Sequence, residues 1–164
     1  MLNMIIAGVV GAVLVAVLFV FAMRKYMITA MRIDAPFETV CEKIEEAIKS
    51  VPGWGHPIPD WDFHGVVSKT HYFENLAKKR IFFICKAEYA NRIVDKHHHM
   101  GAMMPCAWAL YETRKGEVFI SKMNIPMLSK MFAGNIISST MGLVAREEHQ
   151  MIAKLKELVQ QKKK

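Results

Sequence analysis

The chain has 164 residues, with 22 Lys and Arg against 15 Asp and Glu for a formal charge of +7, which leaves room for one domain and an appendage. Every charged side chain lies beyond position 23, so the basic balance belongs to the domain. No arginine-rich helix or paired basic and aromatic motif accompanies it, which argues against nucleic acid and leaves an anionic membrane lipid surface as the expected partner.

Met1 to Met23 carry no side-chain charge. At a rise of about 1.5 Å per residue they span roughly 34 Å, against about 30 Å of hydrocarbon in a bilayer. Their Leu, Ile, Val and Phe residues favour insertion by about 5 kcal/mol. A secretory signal would set basic residues before the apolar run and a small-x-small cleavage site after it, whereas Arg24, Lys25 and Arg32 follow the run. The expectation is an uncleaved transmembrane anchor over residues 1–25 and a domain over 26–164 on the cytoplasmic face, with a periplasmic or extracellular domain as the alternative. Gly8, Ala12 and Ala16 recur every four residues, a stripe on which a helix of an integral membrane partner, or of a second copy in a homodimer, can pack closely.

Tyr26 to Arg32 reads as a link into a first strand ending near Asp34. Asp34 and Pro36 signal a helix start, and Phe37, Val40, Cys41, Ile44, Ala47, Ile48 and Val51 follow at helical spacing, which places Cys41 in the core. Pro52, Gly53, Gly55, Pro57 and Pro59 end that helix. Strands are expected at His64–Ser68 and Ile81–Cys85, a helix at Glu88–Lys96, and a hairpin pairing Cys106–Glu112 with Glu117–Met123 around a glycine turn at Gly116. The C-terminal third is helical, its stripe Ile137, Met141, Val144, Met151, Leu155 and Leu158 broken only by Glu148. A coiled-coil seam fits that stripe, but packing on a sheet fits it better. The fold class is α+β, with helices on a largely antiparallel sheet.

Three constellations carry candidate chemistry. The stretch KHHHMGAMMPC, Lys96–Cys106, mixes imidazole, thioether and thiol. His97 and His99, with Met100, Met103 or Met104 and Cys106, would suit copper or haem, with His56, His64 or His71 as further imidazoles. The spacing matches no established metal motif, so a solvated turn is the expectation. In DWDFH, an extended backbone would turn Trp61 and Phe63 inward and set Asp60, Asp62 and His64 on one face, where they could hold a hard divalent ion or do acid–base work; a polar outer face is the expectation. Met123, Met127 and Met131, at intervals of four, form an adaptable partner surface on a helix starting near Pro126. No P-loop, G-x-G-x-x-G, H-E-x-x-H or Ser-His-Asp order occurs, so no catalytic residue is assigned and a non-enzymatic role is favoured.

Gly53-Trp54, Ile84-Cys85, Glu88-Tyr89-Ala90, MMPC at Met103–Cys106, the LYE and SKMN of the hairpin, KMFAGNI and the later Met141-Gly142 together resemble the domain-of-unknown-function 302 family, in its branch with one N-terminal transmembrane helix. The resemblance covers nearly the whole chain. It implies a compact α+β domain, as a monomer or a dimer, and marks Cys85 and Cys106 without implying a reaction. It also shows a departure: related members often carry His-Pro after the first thiol, where this chain has Lys86-Ala87. Strand neighbours can bring two thiols within the roughly 4.4–6.8 Å between Cα atoms that a disulfide needs, but a reducing cytoplasm would keep them free, buried or reactive. The expected role is a membrane-anchored accessory or binding module. A metal or sulfur handling protein using Cys85, Cys106 and the His97–Met104 segment is the alternative.

Overall fold

The computed structural model describes residues 2–70, 77–132 and 134–161. His71 and the C-terminal Lys162–Lys164 lie outside them.

Helix α1, Leu2–Tyr26, is followed by strand β1, Ile28–Ile33, with one residue between them. Its Gly8–Tyr26 stretch is long and apolar enough to cross a membrane, and none of it is buried in the protein. The junction is tied down by Asn124. The backbone N–H of Asn124 donates to Met27 O and its side-chain Nδ2 to Tyr26 O, both at 2.9 Å. Its Oδ1 accepts from Met127 N at 3.2 Å, capping helix α5, Ile125–Met131. One asparagine therefore satisfies backbone groups of the apolar helix's exit and of α5 together.

The sheet is antiparallel throughout, in the order β1-β5-β4-β3-β2. Strand β2 is Trp54–Gly55, β3 is Lys79–Lys86, β4 is Cys106–Glu112 and β5 is Val118–Met123. Ile28 pairs with Met123, Lys122 with Trp108, and Cys106 with Ile84. This register collects the exit of α1, the start of β4 and the end of β3 at one end of the sheet. The Thr113–Gly116 turn lies at the other end, about 17 Å away at roughly 3.3 Å per residue along β5.

Helix α2, Phe37–Lys49, α4, Ala87–Val94, and the long α6, Asn135–Gln161, cover one face of the sheet. Between them and the sheet lie Phe82, Ile84, Trp108, Leu110 and Ile120 from the strands and Ile44, Ile48, Met151 and Leu155 from the helices. Each such side chain contributes about 1.5–3 kcal/mol on burial. The opposite sheet face carries Ala30, Ala109, Ser121 and a stacked Tyr111–Phe119 pair with ring centroids 5.6 Å apart.

Four expectations are corrected. His64–Ser68 is not a strand: Phe63–Val67 forms helix α3, because the Asp62 carboxylate accepts the backbone N–H of Gly65 at 2.9 Å and nucleates a turn. The DWDFH segment is extended only at Trp61, which bridges to Ile81, and the Trp61 side chain is 42% exposed rather than in the core. The N-cap position of α2 falls on Pro36 itself, so the helix begins at Phe37 and Pro36 does not stand within its first turn. The three spaced methionines do not share a helix: Met123 ends β5, Met127 is half-buried in α5, and Met131 is exposed at its end. The stripe on α6 is buried along its length and faces the sheet, α2 and α5.

Candidate functional site

Glu147 and Glu148 are consecutive on α6, and successive helical residues point about 100° apart. Each carboxylate meets one tryptophan and one lysine. Glu148, 1% exposed, accepts Trp108 Nε1–H at 2.9 Å and pairs with Lys122 Nζ at 2.6 Å. The charged gap in the apolar stripe is thus a buried ion pair anchored to β4 and β5, and an acid alone at that depth would be costly.

Glu147 accepts Trp54 Nε1–H at 2.5 Å, Tyr89 O–H at 2.5 Å, and Lys86 Nζ at 3.1 and 3.2 Å. The Lys86 ammonium also lies 4.4 Å from the Tyr89 ring centroid, and the Trp54 and Tyr89 rings meet edge to face at 6.4 Å. Gly53 makes this possible. Its φ of +83° suits a residue without Cβ, and a Cβ there would stand 3.1 Å from Lys86 Cε. Burial opposes ionisation of Glu147, but the bonds from Tyr89, Trp54 and Lys86 outweigh it and hold the carboxyl below its ordinary range.

Beneath this clamp is a cavity of about 40 Å³, lined almost wholly by apolar atoms of Trp54, Ile84, Cys85, Tyr89, Met104 and Cys106 together with their neighbours. Such a lining favours a small apolar or soft group over water. Both cysteines are free. Burial pushes the Cys106 thiol up to about 12, with nearby Glu148 adding to the effect, and burial also raises Cys85. Both are therefore protonated at neutral pH, so neither is a thiolate nucleophile. Cys41, half-buried against the core, is likewise pushed up by burial to about 11. The arrangement can enclose and orient a ligand. The Glu147 carboxylate, engaged by three donors, is poorly placed to act as a base.

Of the sequence candidates Cys85, Met104 and Cys106 line this cavity, and the others are not among its lining residues. His97 and His99 bring their rings to 6.1 Å, edge to face, beside a 3₁₀ turn over His98–Met103. Met100 is buried, Met103 packs half-buried against the core, and Cys106 begins β4. Asp60 pairs with Arg80 at 3.4 Å, Asp62 caps α3, and His64 lies in the first turn of α3. Among the described residues no group of three or more His, Cys, Asp and Glu is gathered as a metal site. Gly8, Ala12 and Ala16 lie on the exposed surface of α1. Trp54, Lys86, Tyr89, Lys122, Glu147 and Glu148 were not singled out as a site from the sequence. The available signals were Glu148 interrupting its stripe and the Gly-Trp and Glu-Tyr-Ala phrases.

A family model described as "Domain of unknown function DUF302" matches residues 29–160. Among solved structures, the chain is similar to an uncharacterized conserved DUF302 protein from Bacillus stearothermophilus, with a TM-score of 0.64 and 16% identity over 81% of this chain and 98% of that one. At that identity the likeness is one of fold. A search of curated proteins gives no match.

Proposed function

This chain belongs to the DUF302 family, and we propose that it is a membrane-anchored binding module, an accessory subunit of a membrane complex that holds a small apolar or soft group at the bilayer surface. The observation that carries the reading is the junction of α1 with β1. An exposed apolar helix enters an edge strand with one intervening residue and hydrogen bonds from Asn124. A domain joined in that way keeps a fixed attitude to the helix, and the thiol-lined cavity lies at the sheet end from which α1 emerges. The closed hydrogen bonding of Glu147 favours binding over catalysis.

The basic flank Arg24 and Lys25 supports a cytoplasmic domain. The test is extraction of the expressed full chain from alkali-washed membranes, followed by intact mass and native sizing in mild detergent. The expected result is a mass that includes residues 1–26 and a particle larger than the monomer. Release by the alkaline wash, or a mass lacking those residues, would overturn the anchor; a full-length monomer would overturn the accessory role.

A second reading rests on Cys85 and Cys106 lining one cavity with Met104, a soft set suited to sulfur or copper chemistry. Elemental analysis of the detergent-extracted protein separates the two readings. Stoichiometric copper or haem iron, or a persulfide mass on either thiol, favours the second.

A further inference from the structure

The α5–α6 face has a different composition from the rest of the surface. Two adjoining open grooves, of about 620 and 310 Å³, share Pro126, Ala145 and His149, and none of the residues lining either is acidic. Lys130 and Arg146 line the first and Lys156 the second. Lys122 also reaches the second groove, but its charge is taken up by Glu148. Among the described residues no ion pair forms on Lys130, Arg146 or Lys156. Gly142 and Ala145 leave the floor of the first groove open between its cations. Asn124, which ties down the exit of α1, and Thr29 of β1 line the second groove. The unpaired cations therefore lie beside the place where the apolar helix leaves the domain.

We infer that this groove binds the phosphate of an anionic phospholipid in the host bilayer, seated between Lys130 and Arg146 with Lys156 flanking it. The inference rests on the anchored reading above, because α1 is what brings the groove to headgroup depth. Charge complementarity selects the occupant: cations held near an anionic leaflet each strengthen attachment by about fivefold. A neutral headgroup offers no net charge to recover.

The experiment is native mass spectrometry of the full chain in neutral detergent, titrated separately with phosphatidylglycerol, phosphatidylcholine and inorganic phosphate. Phosphatidylglycerol is expected to be retained about tenfold more tightly than phosphatidylcholine, and inorganic phosphate should not displace it at equal concentration. The double variant Lys130→Glu, Arg146→Glu should lose that preference. The double variant Arg114→Glu, Lys115→Glu, at the distant hairpin turn, should keep it, which controls for net charge. Both variants change exposed residues, and unchanged thermal melts will verify their folding. Preference surviving the double reversal, or displacement by inorganic phosphate, would overturn the inference. A protein recovered without residues 2–26 fails the anchor instead, and the two failures are told apart by the mass itself.

Discussion

Glu147 stays ionised against its own burial because three donors converge on it, and the sign of that balance fixes how stability should vary with pH. Its folded-state value is depressed from 4.5, so its stabilisation is complete above that pH and is lost as pH falls through the lower folded-state value. Two of its partners shift upward. The bond to Glu147, then burial, raises Tyr89; for Lys86, burial works against the charge but Glu147 overcomes it. Those contributions are complete below about 10 and are lost as pH rises through the raised values. Urea unfolding of the full chain in detergent as a function of pH should show Glu147→Gln destabilised by about 3 kcal/mol at neutral pH. The acid limb below 4.5 should also be flattened in that variant. Glu148→Ala should cost about 3–5 kcal/mol at neutral pH by stranding Lys122 and Trp108. An acid limb unchanged in Glu147→Gln would place the titration on other carboxylates.

Among the described residues, the Gly8–Tyr26 stretch of α1 is long, apolar and not buried in the protein. Replacing Gly8 and Ala12 together by Leu should weaken the detergent-resistant assembly, because two large side chains would block close helix approach. Native sizing reads the result, and an unchanged particle would locate the contact elsewhere. The apolar run of α1, the heptad-like stripe of α6, the periodic face of α2 and the β4–β5 hairpin were legible because each pattern is local and repeats over many residues. Helix α3 was not. His-Gly-Val-Val-Ser carries strand propensity, and one capping bond from the Gly65 N–H to the Asp62 carboxylate decided its conformation. The clamp was still less visible: Trp54, Lys86 and Tyr89 stand 93, 61 and 58 positions from Glu147. No spacing rule reaches across such intervals, and only the fold brings those residues together.

At the scale of the whole molecule, the anchored reading puts every thiol on one side of a membrane. With the domain in the cytoplasm, a membrane-impermeant maleimide should label nothing in intact cells. After permeabilisation Cys85 should react before Cys106, whose thiol is pushed up to about 12. Unfolding without reductant should expose all three cysteines, since none is bonded to another. Labelling of intact cells would move the domain to the outer side. The single helical turn Arg146–His149 meanwhile faces three surroundings at once: the outer pair line the basic groove, Glu147 holds Trp54, Lys86 and Tyr89 of the cavity wall, and Glu148 is sunk against β4 and β5. These four positions are rigidly phased around one axis. A roll of α6 that pulled Glu147 from its three donors would therefore drag Glu148 off its two strands and swing Arg146 and His149 across the groove, so the helix acts as a camshaft whose lobes cannot turn one at a time.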